Sequence, residues 1–269
     1  MNELRQILLK AKKQVFSNLS GENLTRLKGD GIDLRDIKSY EWGDDIRRIN
    51  WRATAKSGEI LVNTYDEYKQ LNISVIYLPT PSMSFGSQRF KSDVASEIFA
   101  YLLFSGVKNH DIVKSVIFDK KVYKPIKKID EIDSIVSDVF YYEGKEKIDY
   151  EKLSHFINKS YKRGHIIILV GDFLSLPSLS INKKHQVYAL IVRDRLEEEL
   201  SFSGDLALKD FYTNKTEEFF INDTIKQKYN SLINSFDTKL EKQFLENKIS
   251  FKKIYTDDEV YIKLKEVFK

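Results

Sequence analysis

The feature that most constrains the fold of this chain is a series of short apolar runs separated by amphipathic segments. Residues 165–170 read His-Ile-Ile-Ile-Leu-Val, and residues 73–78 form a similar run. Runs without regular polar alternation are typical of strands that are buried on both faces of a parallel sheet. The segments between the runs carry apolar residues at helical spacing, for example Val94, Ile98 and Leu102. This alternation predicts an α/β fold, with a doubly wound sheet and helices on both of its faces.

Other segments extend the pattern along the chain. Further helices are predicted near residues 3–19, 129–140, 153–161 and 229–244, and further strands near residues 59–68, 112–122, 186–192, 206–221 (a hairpin around Asn214) and 249–255. The segment before residue 70 lies outside the alternation. We therefore predict that residues 1–70 form an N-terminal helix and a small, partly β subdomain, and that residues 71–269 form the α/β domain. The amphipathic helix at residues 3–19 either docks on the protein or binds a membrane surface or a partner.

Composition argues against several classes of protein. The chain has no cysteine, which excludes disulfides, a thiolate nucleophile and Cys-ligated zinc. Its 44 basic and 40 acidic residues leave a formal charge of +4 without a basic stripe, so no nucleic-acid partner is expected. The N-terminal region is interrupted by charges, so neither a signal peptide nor a membrane span is expected, and the predicted location is the cytoplasm.

The densest cluster of charged and aromatic side chains lies in residues 40–56, which we call the signature segment. It reads Tyr-Glu-Trp-Gly-Asp-Asp-Ile-Arg-Arg-Ile-Asn-Trp-Arg-Ala-Thr-Ala-Lys and contains both tryptophans of the chain. One interpretation is a scaffold in which Asp44 or Asp45 pairs with Arg47 inside the protein. The other is a docking surface, because Trp, Tyr and Arg dominate interface hot spots. Trp51 follows Ile49 at the strand period of two and is expected to be buried in either case.

The signature segment resembles that of the bacterial DUF58 family, which is related to von Willebrand factor type A domains. The matching residues are Gly29, Gly31, Tyr40, Gly43, Asp44, Asp45, Arg47, Ile49, Trp51, and Ala53 or Ala55. Lys38, Asn50 and Lys56 stand where the family has Arg, Asp and Arg. Any ion-pair network here is therefore expected to be weaker, because lysine cannot form a bidentate fork. The expected scaffold or partner-binding residues are Tyr40, Trp42, Gly43, Asp44, Asp45, Arg47 and Trp51.

The resemblance implies a von Willebrand A-like sheet and a class of partner. Such proteins are commonly encoded beside MoxR-type AAA+ ATPases and are thought to work with them in assembling or remodelling other proteins. Other von Willebrand A-domain proteins are a further class of partner that the resemblance implies. The sequence contains no Walker loop, no dinucleotide fingerprint and no Gly-x-Ser-x-Gly motif. We therefore expect a non-catalytic adaptor rather than an enzyme.

A metal site is the remaining possibility that the resemblance raises. Type A domains place Asp-x-Ser-x-Ser and a distant Asp around Mg²⁺, an ion that prefers hard oxygen ligands. At the matching positions this chain has Thr80, Ser82 and Asp172, but Leu78 replaces the leading carboxylate. We expect a vestigial loop and no cofactor. The alternative is a metal-assisted hydrolase that binds Mg²⁺ through Thr80, Ser82 and Asp172.

Overall fold

The computed structural model of this protein describes residues 2–17, 30–68, 70–144, 146–200, 202–213 and 215–268. The helices are α1 (Asn2–Ser17), α2 (Trp51–Ser57), α3 (Lys91–Lys108), α4 (Asp130–Tyr141), α5 (Tyr150–Ser160), α6 (Arg195–Glu198), α7 (Asp223–Glu246) and α8 (Val260–Val267). The strands are β1 (Asp30–Ser39), β2 (Leu61–Tyr68), β3 (Asn72–Tyr77), β4 (Ile112–Ile117), β5 (Lys121–Val122), β6 (Ile166–Gly171), β7 (Gln186–Arg193), β8 (Gly204–Lys209), β9 (Thr216–Ile221) and β10 (Ser250–Tyr255). These elements form two compact units, one of residues 1–26 and 72–269 and one of residues 27–71.

The larger unit is built on a six-stranded sheet with the order β10-β7-β6-β3-β4-β5. Five of these strands run parallel to one another, namely β10, β7, β6, β3 and β4. The short edge strand β5 is antiparallel to β4. The two central strands, β3 and β6, correspond to the apolar runs that the sequence analysis identified, and β6 is buried along its whole length. The carboxyl ends of β3 and β6 are aligned, because Tyr77 pairs with Val170.

Helices cover both faces of this sheet. Helices α1, α4 and α8 pack around α3 on one face, where the ring of Phe99 contacts Tyr77 of β3. On the other face, α5 and α7 contribute Leu153 and Phe244 to an apolar core shared with strands β3, β6 and β7. The predicted mixed α/β architecture, a central sheet flanked by helices, is therefore confirmed.

The position of helix α1 differs from the predicted grouping of residues 1–70. Its apolar stripe, which includes the buried residues Ala11 and Val15, packs on α3, and Lys10 pairs with Glu97 of α3 at 2.9 Å. Helix α1 therefore belongs to the α/β unit, which contains residues on both sides of the signature segment. Three predicted features lie outside the described residues: the end of the first helix at residues 18–19, Gly29 and Asn214. None of the described helices is both long and apolar enough to span a membrane.

The smaller unit is a β-hairpin whose connection contains the signature segment. Strands β1 and β2 pair antiparallel, with Ser39 opposite Leu61 at the end nearest the connection. The connection folds into a 3-10 helix, Ile46–Arg48, followed by α2. Gly43 has φ of +109° and Gly58, which ends α2, has φ of +77°. Both positions favour glycine, since other residues are strained at such angles.

Candidate functional site

The three predicted oxygen donors, Thr80, Ser82 and Asp172, meet at the carboxyl edge of the central sheet. Thr80 follows β3, Ser82 lies in the next turn, and Asp172 follows β6. Because β3 and β6 are neighbours in parallel register, the loops that follow them leave the sheet side by side. Asp172 Oδ2 accepts hydrogen bonds from Thr80 Oγ1 at 2.9 Å and from Ser82 Oγ at 2.5 Å, and all three residues are buried.

A fourth member of this group, Lys91, was not predicted from the sequence. It is the first residue of α3, its side chain is fully buried, and its Nζ lies 3.4 Å from Asp172 Oδ2. The same Nζ lies 2.5 Å from Oε1 of Glu197 in α6. We call Thr80, Ser82, Lys91, Asp172 and Glu197 the edge cluster. Its two carboxylates are bridged by one ammonium group.

The edge cluster does not fit a divalent metal ion. Leu78, at the position of the missing carboxylate, is buried in the apolar core and packs against Gly171, where an added Cβ would lie 2.9 Å from Leu78 Cβ. Asp172 and Glu197 already contact the positive charge of Lys91. Within the described ranges, no group of three or more His, Asp or Glu side chains is arranged to hold a metal ion. A Mg²⁺ ion that used these carboxylate oxygens as ligands would have to displace the Lys91 ammonium group from them.

A third carboxylate, Asp194, fixes the loops around the edge cluster. It follows β7 and is fully buried, and its Oδ2 accepts hydrogen bonds from Ser87 N–H at 2.7 Å, Ser87 Oγ at 2.8 Å and Thr256 Oγ1 at 2.5 Å. Its Oδ1 caps α6 by accepting from Leu196 N–H at 2.9 Å. Burial acts to raise the pKa of Asp194, but the hydrogen bonds from Ser87, Thr256 and Leu196 outweigh it and lower the pKa. Asp194 therefore ties three segments of the edge together as a carboxylate.

The turn of the β8–β9 hairpin lies close to the edge cluster. Burial and the negative charge of Asp172 raise the pKa of Tyr212, while a hydrogen bond with Ser82 acts in the opposite direction. The ring of Phe211 contacts Phe85 edge-on, at 6.3 Å between ring centroids. The hairpin turn therefore contacts the edge cluster through Tyr212 and contacts the neighbouring Phe85 through Phe211.

The signature segment is held together by local hydrogen bonds. Asn50 caps α2, because its Oδ1 accepts from Ala53 N–H at 3.0 Å, and its Nδ2 donates to Asn63 Oδ1 at 2.9 Å. Tyr40 N–H donates to the carbonyl of Ile60 at 2.8 Å. An aspartate at position 50, as the family has, would cap the helix equally well but would provide no donor to Asn63.

The two adjacent aspartates of the signature segment have different cationic partners. Asp45 and Arg47 form a bidentate pair with both N···O distances at 3.1 Å, and Lys38 Nζ lies 3.0 Å from Asp44 Oδ2. The Arg47 side chain and N–H lower the pKa of Asp45, and the Glu41 N–H and Lys38 lower that of Asp44. Both carboxyls are therefore ionised, and they do not form an acid–base pair. The predicted Asp45–Arg47 pair exists, but it lies on the surface rather than inside the protein.

The prediction that Trp51 is buried is wrong. Trp51 is 69% exposed and Trp42 is 99% exposed. The strand period used for the prediction fails because the chain turns after Ile49, which makes an isolated bridge to Val62, and begins α2 at Trp51. Thr54, one helical turn into α2, contacts the hairpin instead, since its Oγ1 accepts from Leu61 N–H at 3.0 Å.

Arg47→Ala is expected to leave the melting temperature unchanged. Its pair with Asp45 is solvent-exposed, and exposed pairs contribute little to stability because water and salt screen them. A thermal melt of the variant beside the wild type checks this. A drop of many degrees would mean that Arg47 supports the fold in a way that its exposed position does not explain.

Comparisons with known proteins identify relatives but no established activity. The family model described as "Protein of unknown function DUF58" matches residues 36–238. The uncharacterized proteins Rv1480 of Mycobacterium tuberculosis and Mb1516 of Mycobacterium bovis are each 21% identical to this chain over 238 residues, covering 84% of this chain and 75% of theirs.

Two solved structures are similar at low sequence identity. They are the conserved hypothetical protein BatB from Bacteroides thetaiotaomicron (12% identity, TM-score 0.41) and an aerotolerance-related membrane protein from Bacteroides fragilis (11% identity, TM-score 0.36). Each match covers 73% of this chain and 96% of the other chain.

Proposed function

The chain belongs to the DUF58 family, and we propose that it is a non-catalytic adaptor that binds other proteins and works with a MoxR-type AAA+ ATPase in their assembly or remodelling. The observation that supports this proposal best is the exposure of Trp42 and Trp51, both tryptophans of the chain, in one short segment. Large aromatic side chains are costly to leave in water and are enriched at interface hot spots.

The surroundings of the two tryptophans fit a docking surface. Ile46 is exposed as well, and Arg47 and Arg52 lie in the same stretch on the solvent side. Arginine and tryptophan together provide apolar area and directional hydrogen bonds, which a protein partner can use at once. The cap of α2 by Asn50 and the hydrogen bond from Leu61 N–H to Thr54 Oγ1 hold α2 against the hairpin. A preorganised surface loses less entropy on binding.

The choice of ATPase rests on the resemblance to the family. By the same resemblance we take the α/β unit to be von Willebrand A-like, with other von Willebrand A-domain proteins as further partners and the cytoplasm as the site of action. The parallel order of the central strands and the hydroxyl groups at their carboxyl edge are in keeping with this. The metal-assisted hydrolase is not carried forward, because Asp172, the one carboxylate among its proposed ligands, contacts the ammonium group of Lys91 and accepts hydrogen bonds from Thr80 and Ser82.

Direct binding to the MoxR-type ATPase of the source bacterium tests the proposal. The purified chain is titrated with the ATPase by calorimetry in three states: with a non-hydrolysable ATP analogue, with ADP and without nucleotide. We expect saturable binding that depends on the nucleotide state, because an adaptor must engage and release its motor. Absence of binding in all three states contradicts this partner.

A further inference from the structure

We propose that the Lys91 ammonium is a built-in cation that replaces a divalent metal at the carboxyl edge of the sheet. The edge cluster then keeps its shape without metal, and its carboxylates and hydroxyls are organised around a side chain of the protein itself. The inference rests on the surroundings of Lys91 within the α/β unit and is independent of the proposed ATPase.

The surroundings of the ammonium group are those of a bound cation. Lys91 Nζ contacts Asp172 Oδ2 at 3.4 Å and Glu197 Oε1 at 2.5 Å, and it lies 6.0 Å from the centroid of the Phe85 ring. Two carboxylates and an aromatic face therefore surround one positive charge. Thr80 and Ser82 complete the group, since both hydroxyls donate to the carboxylate oxygen that Lys91 contacts.

The position of Lys91 on its helix shows that the cation is not there to stabilise the helix. Lys91 is the first residue of α3, where the positive end of the helix dipole disfavours a cation. Its side chain is also fully buried, which costs a lysine its hydration. The two carboxylates offset both costs. A metal ion at the same place would meet the same helix end and, in addition, the charge of Lys91.

The Lys91 side chain is enclosed by the protein. Because it is fully buried, its ammonium group can leave Asp172 only if the groups packed around it move. The backbone resists this, because Lys91 N–H donates to the carbonyl of Phe85 at 2.9 Å. The ammonium therefore excludes a divalent cation as long as the edge is folded.

The first test is a metal titration of the wild-type protein. Thermal melts are recorded with increasing Mg²⁺ or Mn²⁺, and with NaCl at matched ionic strength to control for screening. Because a ligand of the native state raises the melting temperature, we expect the metal and NaCl series to coincide. A saturable rise with metal that disappears in Asp172→Asn would overturn the proposal.

The second test removes the built-in cation. Lys91→Ala deletes the equivalent of a propylammonium ion, whereas Lys91→Met removes the charge but fills most of the space. Both variants leave Asp172 and Glu197 uncompensated, and we expect the melting temperature to fall by on the order of 10 °C. Added propylammonium is expected to restore part of this loss in Lys91→Ala and none in Lys91→Met.

Each outcome of the second test either supports or overturns the proposed cation site. Recovery by propylammonium that is specific to Lys91→Ala supports a cation site, and n-propanol serves as the uncharged control. Variants that both melt like the wild type overturn the proposal, since no buried carboxylate then needs the ammonium. If neither variant folds, the wild-type metal titration decides alone.

Discussion

Replacing Asp194 with alanine is expected to lower the free energy of unfolding by about 3–5 kcal/mol, because the four hydrogen bonds that this buried carboxylate accepts are lost. The carboxylate joins Ser87 before α3, the first turn of α6 and Thr256 after β10. Without it, the buried Thr256 hydroxyl loses its partner and three chain segments lose their common anchor. Urea unfolding at neutral pH measures the change.

The pH dependence of this effect follows from the lowered pKa of Asp194. A carboxylate whose pKa is lower in the folded state than in the unfolded state stabilises the protein. The full stabilisation is present at pH values above the pKa of the unfolded state, which is about 3.9 for Asp. That contribution is lost as the pH falls through the folded pKa. The difference between wild type and Asp194→Ala is therefore expected to be largest near neutral pH and to shrink below about pH 4.

Asp205→Ala provides the matched control for Asp194. Asp205 is exposed on strand β8, so the same substitution there removes a carboxylate of the same type from a solvated position. We expect its unfolding curve to coincide with that of the wild type at every pH. Equal effects of the two substitutions would contradict the anchoring role of Asp194.

The buried strands could be predicted from sequence because their signal is local. Strand β6 has apolar residues at almost every position, and burial on both faces demands that composition. The burial of helix α3 could be predicted only in part from the spacing of its apolar residues. The apolar stripe through Val94 and Ile98 predicts one buried face, yet Ser96 and Glu97 are buried too, because α1, α4 and α8 surround the helix. Buried polar residues leave no periodic signal.

The edge cluster, too, could be predicted from the sequence only in part. Thr80, Ser82 and Asp172 could be grouped because the resemblance to type A domains implies that they lie together. The structure shows that the strands they follow are parallel and end at one edge. Lys91 and Glu197 could not be grouped with them from the sequence, since their contact joins residues 106 positions apart and a lysine in the first turn of a helix reads as a solvated side chain. Only the packing of α3 and α6 against the sheet edge brings them together.

The signature segment shows the limit of period-based reasoning. Ile49 and Trp51 are two residues apart, as on one face of a strand, but Asn50 between them is a helix cap. Asn is a favoured N-cap residue, and an N-cap at Asn50 predicts that α2 begins at Trp51. The period of two predicts a strand here instead. Trp51 lies in the first turn of α2, where its indole ring is exposed.

Trp42→Ala and Trp51→Ala are each expected to weaken binding to the ATPase by about 2 kcal/mol or more, roughly 30-fold in Kd, while leaving the melting temperature unchanged. Both indole rings are exposed, so their removal creates no cavity. The interface, in contrast, loses its largest apolar contacts. Calorimetric titration and a thermal melt of the same protein samples measure the two quantities.

Phe220→Ala is the control for loss of an exposed aromatic ring. Phe220 is exposed on strand β9, outside the signature segment, and its removal is expected to change neither binding nor melting. Unaltered binding in both tryptophan variants would show that the ATPase does not bind the signature segment, since a hot-spot aromatic cannot be truncated without loss. A large drop in melting temperature in Trp51→Ala, with no such drop in Trp42→Ala, would instead indicate that Trp51 is buried. The signature segment would then be a scaffold rather than a docking surface.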